Sequence, residues 1–284
     1  MQLTQENYHS QQANIEYMSN SQYGGWMKCP AHEHAKIFDG YGDEPKEAFE
    51  IGSYTDCQLL TPEDYPAWYR RHLDALLKTG CISKKDGKTK TAKLVKADAM
   101  IATAQNDPGF MEYLKGDKQV ILTFPFGGCM WRVMLDVLNK AIKRMVDLKS
   151  TKSIVDEQWL DGRTIFDRMA EEDFHEWHKG PFYEVWNYWR QLGIYGYGVQ
   201  YTEGWFPDCF LAPISKESPP DKAIIHFGTT SRLNEEVAII GNFLPQILKW
   251  KTGKETPPRC GVCEFCRETK TIELTGVVEA VSMS

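Results

Sequence analysis

Two short stretches place acids and a lysine among strand-forming residues: Val133-Met134-Leu135-Asp136-Val137 and Val146-Asp147-Leu148-Lys149. Asp136 and Asp147 are eleven residues apart. Their alternating Val, Met and Leu residues predict adjacent strands, with residues 139–142 as the turn. If Leu138 and Met145 close this hairpin, Asp136 falls opposite Asp147. Side chains alternate along a strand, so Asp147 and Lys149 share one face and Leu148 points toward the core. The sequence therefore predicts that two carboxylates and an ammonium converge on one patch.

Such a patch can hold a divalent metal and a water against a phosphodiester. Mg2+ and Mn2+ prefer oxygen ligands, so Asp136, Asp147 and the main-chain carbonyl of Leu148 are suitable donors. Lys149 would then orient or deprotonate the attacking water. The alternative is a charged pair on a solvent-facing hairpin, and the tripeptide alone does not separate the two interpretations.

Two further segments favour the catalytic interpretation: Gly52-Ser53-Tyr54-Thr55-Asp56 before the hairpin and Gln191-Leu192-Gly193-Ile194-Tyr195 after it. Together the motifs resemble the PD-(D/E)XK nuclease superfamily, in its branch of RecB-type, RecE-type and CRISPR-associated exonucleases. That branch carries Gly-x-x-x-His upstream and Gln-x-x-x-Tyr downstream. The resemblance implies that Asp56, where many relatives have histidine, is a third metal ligand. The alternatives are a helix cap or a surface acid.

Gln191 and Tyr195 are four residues apart, so on a helix they share a face and would both reach the substrate strand or the attacking water. Most of the aromatic residues around them are expected to be core residues. Ser150, Thr151 and Lys152 continue directly from the catalytic strand. In folds of this family that segment runs beside the DNA backbone, so phosphate contacts are predicted there.

Four of the eight cysteines form a pattern: Cys260, Cys263 and Cys266 as Cys-x-x-Cys-x-x-Cys, and Cys29 far upstream before a proline. A run of three at this spacing is typical of ferredoxins. The whole pattern resembles the iron-sulfur staple of CRISPR-associated and AddB-type nucleases, which implies a [4Fe-4S] cluster with Cys29 as the fourth ligand.

Zinc is the alternative at this site, bound by Cys29 and either His32 or His34 together with Cys260 and Cys263. Unligated thiols are a third possibility. The remaining cysteines are scattered singly and are expected to be small buried residues: Cys57, Cys81, Cys129 and Cys209.

With 284 residues and 42% hydrophobic content, the chain can bury a full core. No apolar stretch approaches the ~20 residues of a membrane helix, and the N-terminus lacks a signal pattern. We therefore expect a cytoplasmic protein with no membrane partner and no disulfide framework.

The net charge of -6 does not exclude a nucleic-acid partner, because binding needs only a local basic rim. Residues 83–96 contain such a rim, with a mobile, solvated loop as the alternative. Four lysines in it are predicted to contact DNA: Lys84, Lys85, Lys88 and Lys90.

The order of predicted elements agrees with the resemblance. Helices are predicted at 19–28 and 44–59, followed by a helical, lysine-rich insertion at 62–116. Strands are predicted near 119–124, 129–138, 143–149, 208–215 and 223–227, with helix-rich stretches at 154–201 and 231–251, the last bent at Pro245. The resemblance implies an α/β, restriction-endonuclease-like core: a mixed central sheet flanked by helices, in one nuclease domain spanning 1–284. The cysteine motif at 257–267 would be a metal-cluster staple joining the N- and C-terminal regions.

The resemblance implies a Mg2+- or Mn2+-dependent DNA exonuclease of the bacteriophage type. It would resect double-stranded DNA ends and leave a single-stranded product for a partner annealing recombinase. One rival is a non-catalytic, zinc-containing DNA-binding or scaffold protein. Another is a nuclease with a different task, either CRISPR spacer trimming or structure-specific cleavage. The sequence sets neither polarity, strand preference nor oligomeric state, although a ring-shaped homo-oligomer would favour processive digestion.

Overall fold

The computed structural model describes residues 1–161, 164–169, 177–228 and 231–271. Its centre is a five-stranded sheet in the order β1-β2-β3-β6-β7. Strands β3 and β6 are parallel, and the other neighbouring pairs are antiparallel. A separate two-stranded sheet pairs β4 with β5. The strand bounds are β1 Asp117–Phe126, β2 Cys129–Asn139, β3 Arg144–Thr151, β4 Gln158–Asp161, β5 Trp177–Gly180, β6 Asp208–Ser215 and β7 Ile225–Gly228.

Helices cover both faces of the five-stranded sheet. None of those described combines the length and the apolar character that crossing a membrane requires. Their bounds are α1 Gln11–Glu16, α2 Asn20–Lys28, α3 Pro30–Phe38, α4 Glu47–Leu60, α5 Tyr65–Thr79, α6 Ala92–Gln105, α7 Pro108–Tyr113, α8 Ile165–Met169, α9 Phe182–Val185, α10 Tyr188–Glu203, α11 Ser231–Lys251 and α12 Glu264–Glu268.

Local sequence signals fix several helix ends. The hydroxyl of Ser19 accepts a hydrogen bond from the backbone N–H of Gln22 at the start of α2, and Asp107 caps α7 in the same way ahead of Pro108. Helix α5 ends at Gly80, whose φ of 70° is a left-handed conformation that glycine adopts without strain. The cap at Ser19 begins α2 at the start of the helix predicted for residues 19–28.

Two hydrophobic cores lie on opposite sides of the sheet. The first core is between the sheet and helices α2, α10 and α11, and the second is between the sheet and helices α4, α5 and α6. A Cβ on Gly198 would overlap the ring of Phe124, so α10 packs directly on β1. Members of the first core include Trp26, Phe124, Trp131, Leu192, Leu211 and Leu244; members of the second include Tyr54, Trp68, Leu94, Val146 and Leu148.

The predicted architecture of a mixed sheet flanked by helices is confirmed, and residues 62–116 contain helices α5, α6 and α7. Two local predictions differ from the structure. The stretch 154–201, expected to be rich in helix, contains strands β4 and β5 at 158–161 and 177–180. Neither Gln158-Trp159-Leu160-Asp161 nor Trp177-His178-Lys179-Gly180 alternates between apolar and polar residues, so a period of two does not reveal these strands. Helices α1 and α3 were also not predicted.

Candidate active site

The β2–β3 hairpin has the predicted register, since Val137 pairs with Val146 and Leu138 with Met145. Val137–Val146 is the last pair of this ladder, and the same register continued by one residue places Asp136 opposite Asp147. The Nζ of Lys149 lies 2.7 Å from Oδ2 of Asp147 and 3.9 Å from Oδ2 of Asp136. The two carboxylates and the ammonium therefore converge as predicted.

Asp136 is also tied to the neighbouring strand through the main chain. Its Oδ2 accepts a 2.8 Å hydrogen bond from the backbone N–H of Leu148. The N–H and C=O of one strand residue face the same neighbouring strand, so the carbonyl of Leu148 is directed toward the same gap. The Leu148 side chain is buried in the second core. The Leu148 carbonyl as a metal ligand stays a prediction.

Helix α10 completes the site from the side of the first core. The Nε2 of Gln191 donates a 3.0 Å hydrogen bond to Oδ1 of Asp147. The ring centroid of Tyr188, one turn earlier on the same face, lies 5.6 Å from Nζ of Lys149. Tyr195 lies one turn beyond Gln191, and burial raises the pKa of its hydroxyl well above the usual value, with Tyr8 and Asp147 adding to the effect.

Helix α4 contributes Asp56, which is partly buried. Burial raises the pKa of Asp56 well above its ordinary value; Asp136 and Asp147 raise it further, and Lys149 opposes them. The charges of Asp136, Asp147 and Lys149 therefore act on the Asp56 carboxyl, and its role as a third metal ligand stays a prediction.

The site carries more negative than positive charge. Burial raises the pKa of Asp136 to about 7, and Asp147 adds to this, while Lys149 and the N–H of Leu148 act in the opposite direction. Burial lowers the pKa of Lys149, but Asp147 and Asp136 outweigh it and raise that pKa well above its usual range. Three carboxylates share one ammonium, an imbalance that a bound cation would relieve.

A divalent cation fits this donor set. The buried Oδ2 of Asp147 accepts no hydrogen bond, because its 2.7 Å approach to Lys149 has ion-pair distance without hydrogen-bond geometry. Burying a carboxylate is costly unless its charge is paired, and Lys149 pairs with this oxygen at 2.7 Å, so a metal would join an existing cation there. The oxygens of Asp56, Asp136, Asp147 and Leu148 are all hard donors of the kind that Mg2+ and Mn2+ prefer.

Sequence reasoning missed two residues near this site. Tyr188 precedes Gln191 by three positions, so helical spacing from Gln191 was a usable signal for it. Tyr8 is buried, and its neighbours Arg132 and Asp136 act on its pKa, which burial raises to about 12. Nothing in the sequence around Tyr8 indicates that the N-terminal segment reaches the catalytic strands.

The three residues predicted to contact phosphates lie at the end of β3 and directly after it, in different surroundings. Lys152 is exposed, and Ser150 is half-buried beside Gly52 of α4. Thr151 is buried, and its hydroxyl donates to the carbonyl of Ser153 inside the fold. The DNA contacts of these residues stay a prediction.

The lysine-rich segment is an ordered turn between α5 and α6. Lys84, Lys85 and Lys88 are exposed. Lys90 instead forms a 2.8 Å ion pair with Asp98 and donates a 2.7 Å hydrogen bond to the hydroxyl of Tyr54. Lys90 therefore joins the segment to α4 and α6, and its predicted DNA contact stays a prediction.

A second group of side chains lies where the chain ends meet. The thiol sulfurs of Cys29, Cys260, Cys263 and Cys266 are all within 4.8 Å of one another. Cys29 and Cys266 are 3.6 Å apart, and Cys260 and Cys266 are 3.9 Å apart. The backbone N–H groups of Cys263 and Cys266 donate to the sulfurs of Cys260 and Cys263, at 3.4 and 3.5 Å. The four cysteines can hold a metal centre.

The histidines of the zinc alternative have other partners. His32 lies 3.1 Å from Asp43 and stacks on Phe265, and His34 lies 3.5 Å from Asp39. The four thiols therefore form the ligand group without a histidine. Of the other cysteines, Cys57, Cys81 and Cys209 are buried as expected, and Cys129 is half-buried.

Comparison with known proteins agrees with this geometry. Residues 19–269 match the family model described as a PDDEXK-like domain of unknown function, DUF3799. The crystal structure of a protein from Eubacterium rectale, provisionally named an exonuclease, aligns with a TM-score of 0.83 and 29% identity, over 99% of this chain and 97% of that chain.

The structure of SSO0001 aligns at 9% identity over 84% of this chain and 91% of that chain, and its TM-score of 0.30 carries no argument. No curated protein matches the sequence.

Proposed function

We propose that this chain, which belongs to the PDDEXK-like family DUF3799, is a divalent-metal-dependent DNA exonuclease. The observation that carries the proposal is the buried cluster of Asp136, Asp147 and Lys149, in which one oxygen of Asp147 has no hydrogen-bond donor. A nuclease of this kind needs carboxylates that hold a cation next to a group that handles the attacking water. The cluster has both.

Each residue has a distinct task in this proposal. Asp56, Asp136, Asp147 and the Leu148 carbonyl would hold Mg2+ or Mn2+, and the bound cation would supply water activation and neutralisation of charge on the phosphate. Lys149 orients the attacking water, and Gln191 holds Asp147 in its ligating orientation through the bond to Oδ1. Tyr195 lies one turn further along α10 and positions the substrate strand.

The proposed substrate is a double-stranded DNA end. The lysines that remain exposed, Lys84, Lys85, Lys88 and Lys152, are proposed to contact its phosphates. The resemblance to RecE-like exonucleases further supports resection during phage-type recombination, with the single-stranded product passing to an annealing recombinase.

The four cysteines are proposed to hold a metal centre that ties α12 to the junction of α2 and α3. The resemblance to iron-sulfur nucleases supports a [4Fe-4S] cluster. The spacing of the sulfurs supports the alternative of one zinc ion, here held by four thiolates. A tetrahedral zinc with Zn–S bonds of ~2.3 Å separates its sulfurs by ~3.8 Å. A cluster would place four irons and their sulfides between the same thiolates and hold them further apart.

The nuclease proposal is tested with end-labelled linear duplex and closed circular DNA, incubated with Mg2+ or Mn2+. We expect nucleotide release from the linear duplex, an intact circle, and loss of release in Asp147→Ala and Lys149→Ala with an unchanged circular dichroism spectrum. The matched control is Asp74→Ala/Lys78→Ala, which removes an exposed ion pair on α5. Release that persists in both active-site variants would refute the catalytic assignment, and cleavage of the circle would indicate an endonuclease.

A further inference from the structure

A cleft of about 1150 Å3 is lined by residues of α2, α3, α4, α8, α9, α10 and α11 and by three of the four clustered cysteines, Cys29, Cys260 and Cys263. It is larger than the ~300–1,000 Å3 of pockets for small ligands. Two aromatic side chains on its walls are largely exposed, Phe49 at 71% and Trp186 at 53%. Large apolar side chains that share one open cleft need an explanation that isolated surface residues do not.

Both aromatic residues are structurally linked to the proposed catalytic residues. Phe49 lies on α4 seven residues before Asp56, which puts the two on the same helical face, two turns apart. The ring N–H of Trp186 donates to Oε1 of Gln158 at 2.8 Å, and Nε2 of Gln158 donates to the hydroxyl of Thr151 at 3.3 Å. Thr151 is two residues beyond Lys149 on β3, so these hydrogen bonds join the Trp186 wall of the cleft to the strand that carries Asp147 and Lys149.

Cations also line the cleft. Lys28 and Arg190 are on its walls, and burial, followed by the charges of Arg190 and Lys46, lowers the pKa of Lys28. The guanidinium of Arg190 is fixed over the ring of Tyr23 and by a 3.0 Å bond to Asn20.

Several acids line the same cleft, but most are bound to other cations. Glu33 and Asp43 are within ion-pair distance of Lys36, and Glu184 is paired with Arg232. Asp167 accepts hydrogen bonds from Thr164, and Glu236, also on the cleft wall, acts on Arg190: burial lowers the pKa of Arg190, and Tyr23 and Glu236 raise it. Within the described part of the chain, no ion pair engages Lys28 or Arg190, so the Lys28 ammonium is available to a ligand, whereas Arg190 shares its surroundings with Glu236.

We propose that this cleft binds an unpaired stretch of DNA adjoining the scissile phosphate, with bases stacked on Phe49 and Trp186 and phosphates close to Lys28 and Arg190. Exposed rings beside cations are the combination that binds single strands without sequence preference. A duplex does not offer its base faces to such rings, so the occupant is single-stranded. The inference rests on the proposed function, because it identifies the strand that this active site would receive.

The test is fluorescence anisotropy of a labelled oligo-dT and of a labelled blunt duplex, in chelator so that no cleavage occurs. We expect Phe49→Ala and Trp186→Ala each to weaken oligo-dT binding about 5- to 150-fold and to leave duplex binding within about twofold. Lys28→Ala should lower the salt dependence of oligo-dT binding by about one phosphate contact. Trp186→Phe, which keeps a stacking ring, should retain most of the affinity.

The matched control is Tyr201→Ala, an aromatic residue of α10 that is 56% exposed and lies outside the cleft. It should bind oligo-dT as the wild type does. Wild-type affinity in both Phe49→Ala and Trp186→Ala would overturn the inference, and parallel cleavage assays on the wild type separate the two proposals. If the wild type cleaves DNA, the nuclease proposal stands even where the cleft inference has been overturned. If the wild type cleaves no DNA, the nuclease proposal fails whatever the binding results are.

Discussion

The Nε2 of Gln191 donates a hydrogen bond of 3.0 Å to Oδ1 of Asp147, while Oδ2 of the same carboxylate faces Lys149 at 2.7 Å. The bond joins α10 to β3 across the first core. Because one oxygen is held by an amide, the other has a defined direction toward the site. Gln191 is thus placed to act on the proposed metal through its ligand.

For Gln191→Ala we expect a loss of about 10- to 100-fold in metal affinity or activity, the usual effect of removing a residue that orients a ligand. The measurement is nuclease activity against Mg2+ concentration, in which the half-maximal concentration should rise. Gln200→Ala, on the exposed face of the same helix, is the control. A fall in activity with no change in the metal requirement would contradict this role.

The raised pKa of Asp136 predicts a pH dependence of the metal-free protein. Burial, with Asp147, raises this pKa to about 7, whereas an unfolded aspartate titrates near about 4. Between these values the native state binds more protons than the unfolded state, so this group's contribution to the free energy of unfolding falls as pH rises from about 4 to 7.

Asp136→Asn removes the titrating group and keeps an acceptor for the N–H of Leu148. In chelator we expect its Tm to exceed that of the wild type at pH 8, by a few degrees, and the difference to shrink at pH 5. Mg2+ or Mn2+ should raise the Tm of the wild type and have little effect on the variant. A Tm difference that is the same at both pH values would show that carboxylate repulsion is not its cause.

Part of this site could be predicted from sequence because it depends on a local hairpin. The turn sets the pairing of Leu138 with Met145, and period-two alternation in β3 then places Asp147 and Lys149 on one face. The four-cysteine group was predictable from spacing and resemblance.

The side of the sheet that each residue of β2 faces was not predictable. Val133 and Leu135 pack in the first core but Val137 packs in the second, so alternation breaks at Asp136. The interruption faces Gln119 of β1, which has a φ of 47° between two regular pairs. Tyr8 and Lys90 also contact distant parts of the chain, and no local sequence pattern indicates those contacts.

The cysteine group predicts a metal-dependent stability. Cys29 is 237 residues from Cys266, and their sulfurs are 3.6 Å apart, so a shared metal would close a very long loop. Cys263→Ser should lose the metal and lower the Tm, because metal binding favours the folded state. Cys129→Ser, a half-buried cysteine outside the group, is the control.

Metal analysis of the wild type identifies the centre in the same experiment. Iron and sulfide with absorbance near ~400 nm would assign a cluster, and one zinc per colourless chain would assign a single ion. Wild-type protein that contains neither metal, and that matches Cys263→Ser in Tm, would exclude a metal centre.

The lysines of the segment between α5 and α6 predict two separable phenotypes. Lys84, Lys85 and Lys88 are exposed, whereas Lys90 is bonded to both Asp98 and Tyr54. Replacing the three exposed lysines with alanine should leave the Tm unchanged, weaken duplex binding and reduce its salt dependence, since each phosphate contact contributes a slope of ~0.9.

Lys90→Ala should instead lower the Tm, because it leaves Asp98 and the Tyr54 hydroxyl without their cation. Both are measured by thermal melts and by anisotropy of a labelled duplex across a salt series. If the triple variant kept the wild-type salt slope, this segment would not be part of the DNA path.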